Sequence, residues 1–163
     1  SGVFGELQAS LNEIWQVAPK PGRGFWGFVQ QRLFSFAMVL GSSPELDKEV
    51  EGDGRTPEGE FYVFTKNPKS RFHLSLGLSY PAPEDARRGL TGGLISRDEH
   101  EEIIKAAAGG GMPPQKTRLG GEIYIHGGGT GKEWTDGCVA MENDEMTELF
   151  AAVPVGTRVT ILK

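Results

Sequence analysis

The stretch Gly121–Asn143, GEIYIHGGGTGKEWTDGCVAMEN, contains the only cysteine of the chain and one of its three histidines. The alternation Ile123-Tyr124-Ile125 ends in His126, and this pattern predicts a strand that delivers the histidine to the edge of a sheet. A second apolar run, Val139-Ala140-Met141, follows Cys138. We therefore interpret the rest of the chain as the scaffold of this stretch.

The residues between His126 and Cys138 are typical of a nucleophile site. Gly137 directly precedes the thiol and allows backbone amides to approach it closely. Because a free cysteine with a pKa of about 8.5 is only slightly ionised at neutral pH, an imidazole must take its proton, and His126 is the candidate. A single cysteine is more often a small buried apolar residue, so a structural or redox cysteine is the alternative.

Four segments, in the same order, resemble the YkuD-like L,D-transpeptidases. Residues 126–143 resemble the active-site motif of the family, in which a histidine is followed by Ser/Thr-His-Gly-Cys. Residues 50–61 resemble its GDGRTPEG segment, residues 70–81 the strand that follows, and residues 153–161 its closing strand. The resemblance spans roughly residues 36–163, so it covers most of the chain.

The resemblance implies a mainly β protein with peripheral helices, an L,D-transpeptidase-like β-sandwich of mixed sheets. It implies that Cys138 is the nucleophile, that His126 is the general base, and that Thr135 and Gly137 are their neighbours in the motif. Backbone amides at Gly137 and Cys138 are candidates for an oxyanion hole. Either the carbonyl of Gly127 or the side chain of Asp136 could orient His126.

Two positions depart from the usual family pattern. Asp136 stands where most members have histidine, and Ala140 stands where many have arginine or asparagine. The Thr-Asp-Gly-Cys form and the short interval between His126 and Cys138 resemble a sub-branch that includes hydrolases as well as transpeptidases. These departures bear on the substrate and the acyl acceptor, and they leave the thiol chemistry in place.

The implied reaction is acyl transfer on a peptidoglycan stem peptide. The thiolate attacks the carbonyl of a diaminopimelate residue to give a thioester, and an amine acceptor then forms a cross-link or an exchanged stem, whereas water gives L,D-carboxypeptidase activity. Carbapenems are expected inhibitors. The alternatives are a hydrolase of a cross-link or of a protein–peptidoglycan link, including a secreted antibacterial effector, and a non-catalytic wall-binding module.

Further residues are candidates for binding the substrate. Gly127, Thr135 and Trp134 belong to the motif region, while His73 and Tyr80 lie in the apolar run 72–80. A lone histidine in a strand is more often structural than catalytic, so lining of the site by His73 competes with a structural role. The three histidines and Cys138 have no metal-ligand spacing, and we expect neither a metal nor a cofactor.

The length and charge of the chain limit its organisation and partners. We expect an amphipathic helix and Pro/Gly linker over residues 1–22 and one catalytic domain over residues 23–163. The net charge of −5 argues against nucleic acid as a partner. Neither a signal peptide nor a run of 18 apolar residues is recognisable. The resemblance to enzymes of the cell wall nevertheless predicts a periplasmic or other extracytoplasmic location.

Local patterns predict most of the scaffold. Ser96 and Glu99 form a capping box that predicts a helix ending near Gly109, and the following loop, residues 109–121, could form a wall or lid over the cleft. Asn143 is predicted to cap a last helix. The predicted strands are residues 34–40, 61–64, 72–80 and 157–162, with a glycine-rich turn over residues 52–59 that is either a surface turn or a border of the substrate groove.

Overall fold

A computed structural model describes residues 38–41, 47–130 and 135–162 of the chain. The predicted N-terminal helix, the first part of the predicted strand 34–40, and Trp134 lie outside these residues. The domain boundary near residue 23 therefore stays a prediction.

The described elements are, in chain order, β1 (Met38–Gly41), β2 (Gly59–Ser70), β3 (His73–Leu78), α1 (Pro83–Thr91), α2 (Arg97–Gly109), β4 (Tyr124–His126), β5 (Val139–Ala140), α3 (Asn143–Ala152) and β6 (Arg158–Leu162).

The described strands form one curled, mixed sheet of six strands in the order β1-β6-β2-β3-β4-β5. The pairs β1–β6 and β4–β5 are parallel, and the pairs β6–β2, β2–β3 and β3–β4 are antiparallel. The predicted class, mainly β with peripheral helices, is confirmed. The site stretch forms the end of the sheet, because β4 pairs with β3 and β5 is the last strand.

The hydrophobic core fixes which face of β4 packs into the main apolar cluster. Ile123 and Ile125 belong to the main buried cluster, together with residues of β2, β3, α3 and β6. Since alternate residues of a strand point to opposite faces, Tyr124 and His126 share the other face. Burial of the isoleucines thereby sets the direction in which His126 points.

The helices are partly as expected. Helix α2 begins at the predicted capping box, in which Ser96 and Glu99 exchange hydrogen bonds, and it ends at Gly110 in the left-handed conformation with φ of 67°. Helix α1 was not predicted, although Pro83 followed by two acidic residues is a typical first turn. None of the helices within the described ranges is long and apolar enough to cross a membrane.

The start of α3 corrects one prediction. Asn143 is the first helical residue, and the residue that caps the helix is Glu142. The Asn143 side chain instead accepts a hydrogen bond from the Gly128 amide, at 2.9 Å, and so ties the glycine loop to the helix. The inward positions were predicted correctly for Met146 and Leu149, which are buried, and Phe150 packs against the same cluster.

Candidate active site

Parallel pairing of β4 and β5 places Cys138 beside the strand that carries His126. In the register, Ile125 pairs with Val139 and His126 pairs with Ala140, so Cys138 lies alongside Tyr124. The amide of Tyr124 donates to the Cys138 sulfur at 3.4 Å, which fixes this neighbourhood directly. Two segments that the sequence only suggested as a pair are therefore joined by a strand ladder.

The imidazole of His126 is buried, with 3% of its surface exposed, and is held from two sides. Its Nδ1 lies 2.6 Å from the carbonyl oxygen of Gly127. Because a carbonyl can only accept, Nδ1 carries the proton, and the basic lone pair of the neutral ring is on Nε2. The ring also stacks on Phe72, with centroids 4.8 Å apart and an interplanar angle of 27°.

The turn before the thiol is held by its own residues and by a neighbouring segment. The hydroxyl of Thr135 donates to the carbonyl of Cys138 at 2.8 Å, which closes the turn. Gly137 has a φ of 101° and is buried against the carbonyl of Arg55, where a side chain at position 137 would collide. Thr135 thus positions the turn in this structure, whereas contact of Thr135 with substrate stays a prediction.

Residues 47–58 border the nucleophile turn. This position favours the second interpretation of the predicted glycine-rich turn, in which it borders the substrate groove. The carboxylate of Asp53 accepts hydrogen bonds from the amides of Glu49, Val50 and Arg55, at 2.8 to 3.1 Å. It also forms an ion pair of 2.9 Å with Lys48, whose side chain is 3% exposed. Burial raises the pKa of Asp53, but these hydrogen bonds outweigh it and lower the pKa to about 2.

The Cys138 thiol has an elevated pKa in this environment. Burial is the largest cause, and the negative charges of Asp136 and Glu122 act in the same direction. The Tyr124 amide and the charge of Lys48 oppose the shift. The sulfur also donates to the carbonyl of Glu122 at 3.4 Å. The resting group is therefore a thiol, and ionisation requires a base.

The Gly127 carbonyl and the Asp136 side chain were the two candidates for orienting His126, and the described hydrogen bonds distinguish between them. Gly127 supplies the carbonyl that meets Nδ1, as one alternative predicted. Asp136 is exposed, and its only described influence on the site is electrostatic. An orienting role of Asp136 toward another group stays a prediction.

The predicted substrate-binding residues lie in different places. His73 is exposed, its Nε2 lies 2.8 Å from the Thr147 hydroxyl, and its Cβ packs close to Gly127, so it stands at the border of the His126 region. Tyr80 is fully buried, and its hydroxyl donates to the carbonyl of Leu119 at 2.8 Å. Tyr80 is thus part of the core, which corrects its assignment to substrate binding. Trp134 lies outside the described residues.

A cavity of about 300 Å³ lies next to Glu122. It is lined by Glu51, Gln115, Lys116, Thr117, Gly121 and Glu122. Glu122 connects it to the site, because its carbonyl accepts the hydrogen bond from Cys138. Residues at the end of the segment 109–121 therefore line a cavity at Glu122, and their role as a wall or lid over the cleft stays a prediction.

Sequence reasoning missed three contacts within the site. Phe72 stacks on His126, Arg55 packs against Gly137, and Glu122 accepts from the thiol. Two of these contacts are made by main-chain carbonyls, and a main-chain contact cannot be recognised from the type of residue. For Phe72 the alternation of the strand gave a signal for burial, but none for an imidazole as its neighbour.

Comparisons with known proteins identify the family of the chain. The model of the YkuD family, described as an L,D-transpeptidase catalytic domain, matches residues 24–161. YqjB of Bacillus subtilis (strain 168), which carries the provisional name of an L,D-transpeptidase, is 31% identical over 168 residues, which cover 93% of this chain and 79% of YqjB.

The solved structure of Pgp2 supports the fold. The helical cell shape determining protein Pgp2 of Campylobacter jejuni superposes with a TM-score of 0.50 at 22% identity, covering 75% of this chain and 36% of that one. Bd1075 of Bdellovibrio bacteriovorus gives a TM-score of 0.43 at 21% identity, covering 72% of this chain and 36% of that one. The chain thus spans about a third of the length of these two structures. Because the family model matches most of its residues, the chain belongs to the YkuD family of L,D-transpeptidase catalytic domains, whose members act on peptidoglycan.

Proposed function

We propose that this protein is a cysteine acyl-transfer enzyme that acts on peptidoglycan stem peptides through a thioester on Cys138. The observation that carries the proposal is the β4–β5 ladder, which sets Cys138 beside Tyr124, two residues from His126 on the paired strand. Family membership supplies the substrate class. The proposed donor carbonyl is that of diaminopimelate in the stem peptide.

The proposed proton route runs from the Cys138 sulfur to Nε2 of His126. The Gly127 carbonyl supports it, because it holds the proton of the neutral ring on Nδ1 and leaves the lone pair on Nε2. Once Nε2 takes the thiol proton, the ring is an imidazolium that donates to Gly127 and stacks on Phe72. The same proton then passes to the amine that leaves the substrate.

The proposed oxyanion hole consists of the main-chain amides of Gly137 and Cys138. The positive φ of Gly137 sets the direction of the amides in this turn, and the Arg55 carbonyl and the Thr135 hydroxyl fix its position. Donors that are in place before the reaction stabilise a developing negative charge without reorganisation. Gly137 therefore has a catalytic role through its main chain in this proposal.

The fate of the thioester decides between transfer and hydrolysis. We propose that water and free D-amino acids compete well with a second stem peptide, because Ala140 replaces the larger polar residue that many members carry there. The expected products from tetrapeptide muropeptides are tripeptides and exchanged stems in excess over dimers. The proposed location is extracytoplasmic, where this substrate occurs, and carbapenems are proposed inhibitors.

Incubation of the protein with diaminopimelate-type tetrapeptide muropeptides, followed by mass spectrometry, tests the proposal. Wild type should release the terminal D-residue, and Cys138→Ala should show no turnover while it keeps the wild-type circular dichroism spectrum. Mass spectrometry of quenched wild type should show one acyl adduct on Cys138. Turnover by Cys138→Ala would contradict the proposal, and a dimer-dominated mixture would overturn the expectation about the acceptor.

A further inference from the structure

The side chain of Gln115 binds three main-chain groups around the nucleophile segment. Its amide nitrogen donates to the carbonyls of Tyr80 and Pro113, at 3.1 and 2.8 Å, and its Oε1 accepts from the amide of Glu122 at 2.7 Å. The partners fix the orientation of the amide group, because two carbonyls require the nitrogen and an N–H requires the oxygen. Gln115 is thereby a rigid link between the end of β3 and Glu122.

Glu122 has a backbone conformation that needs such support. Its φ is 55°, and the only other non-glycine residue with positive φ within the described ranges is His73. A side chain makes this left-handed conformation unfavourable, so surrounding contacts must hold it. Gly121 contributes by close packing, because a Cβ there would lie 2.5 Å from the carbonyl oxygen of Gln115.

The left-handed conformation of Glu122 aims its carbonyl at the nucleophile. The Cys138 sulfur donates to this carbonyl at 3.4 Å and accepts from the Tyr124 amide at the same distance. The two contacts act in opposite directions, because an N–H donor favours the thiolate whereas a carbonyl can bind only the protonated thiol. The Glu122 carbonyl is therefore a selective partner of the resting state.

We propose that Gln115 is a positioning residue that holds the Glu122 carbonyl against Cys138 and so keeps the nucleophile of the free enzyme protonated. This inference rests on the proposed role of Cys138 as the nucleophile. On reaction, the S–H leaves the Glu122 carbonyl and turns to His126, and the proton moves from sulfur to Nε2. The unliganded enzyme thus holds its only cysteine in the form that reacts slowly with electrophiles and oxidants.

Other charged groups near the thiol must be the same in the two proteins of each comparison. Those that act on Cys138 are the carboxylates of Asp136 and Glu122 and the buried ammonium of Lys48, while Tyr124 and His126 are the titratable residues of the neighbouring strand β4. Replacement of Gln115 by methionine changes no charge. An altered titration of the thiol in Gln115→Met therefore reports on the hydrogen-bonded link.

The S–H stretching band in the Raman spectrum tests the resting state directly. Cys138 is the only cysteine, so the full chain gives a single S–H band. The S–H stretch of a hydrogen-bonded thiol has a lower frequency than that of a non-bonded one. We expect a lowered frequency in wild type and a shift toward the non-bonded value in Gln115→Met. A wild-type band at the non-bonded frequency would overturn the proposal without any variant.

The pH dependence of alkylation by iodoacetamide gives a second readout. In Gln115→Met the midpoint should move to lower pH, and alkylation at neutral pH should become about threefold faster, in line with the loss of one weak hydrogen bond. Rates well above the midpoint should match wild type, since a mere opening of the site would raise them at every pH. Met112→Ala, an exposed change in the same loop, should leave the profile unchanged.

A double-mutant cycle tests whether Gln115 acts through the backbone of Glu122. Asparagine adopts the left-handed conformation more readily than glutamate, so the effect of Gln115→Met should shrink in the Glu122→Asn background. An equal effect in both backgrounds would contradict the proposed route. If muropeptide turnover survives in Cys138→Ala, the proposed function fails, whereas the Raman band and the alkylation profile still decide the role of Gln115.

Discussion

The carbonyl of Arg55 packs directly against Gly137, the residue before the nucleophile. This contact connects the glycine-rich segment 47–58, which is held by Asp53, to the turn that presents Cys138. Gly137 is therefore constrained twice, by its φ of 101° and by the lack of space for a Cβ. The two constraints can be separated by experiment.

Gly137→Ala should reduce kcat for muropeptide turnover by at least about 100-fold, because a displaced turn removes an oxyanion-hole donor from its place. The added methyl group collides with the Arg55 carbonyl, so either the turn or the 47–58 segment must shift. Steady-state kinetics on tetrapeptide muropeptides and thermal unfolding should be measured on the same sample.

Gly156→Ala is the matched control for backbone strain. Gly156 has a similar φ of 89°, but no atom lies within 4 Å of the position of its Cβ. Both variants should lose comparable stability from strain, about 1 kcal/mol, whereas only Gly137→Ala should lose activity. Equal activity in the two variants would show that the contact with Arg55 does not matter for the reaction.

Phe72→Leu should lower kcat by about threefold to tenfold. Leucine keeps the apolar volume but removes the flat surface on which the buried His126 ring stacks, so the imidazole loses this support. Phe64→Leu is the control, since this partly buried ring of β2 packs against Gly77 of β3. A loss of activity in both variants would assign the effect to the sheet rather than to His126.

Some features of the fold and of the candidate site could be predicted from the sequence, and others could not. The strand before His126 and the capping box at Ser96 are encoded in short patterns, since alternation and capping depend on neighbours in the chain. The contacts of Gly137 with Arg55, of Phe72 with His126 and of Cys138 with Glu122 depend on sheet order or on main-chain direction. Single-sequence patterns carry neither, and the burial of Tyr80 was missed for the same reason.

Asp136→Asn should move the midpoint of Cys138 alkylation to lower pH. Burial is the main cause of the raised thiol pKa, and the negative charge of Asp136 adds to it, so removal of this charge lowers the pKa. The rate at neutral pH should therefore rise. Asp144→Asn, which removes an exposed charge from the first turn of α3, should leave the midpoint in place.

The same variant tests the hypothesis that Asp136 orients a neighbouring group. An orienting role requires that kcat for muropeptide turnover fall by about tenfold or more. A purely electrostatic role predicts a changed pH profile with kcat nearly preserved at its optimum. Unchanged alkylation and unchanged turnover together would make Asp136 an ordinary loop residue.

Asp53→Asn should destabilise the protein by about 2 kcal/mol or more at neutral pH, because it leaves the buried Lys48 ammonium without its ion pair. The pKa of Asp53 is lowered from 3.8 to about 2 in the folded protein. A carboxyl with a depressed pKa adds stability above its unfolded pKa, and this contribution disappears as pH falls through the folded pKa. The difference in the free energy of unfolding between wild type and Asp53→Asn should thus be constant above about pH 5 and shrink between about pH 4 and 2.

Urea unfolding at a series of pH values measures this difference in the free energy of unfolding, with Asp98→Asn at an exposed position of α2 as the control. If this difference in stability stayed constant down to pH 2, the charge of Asp53 would not be its cause.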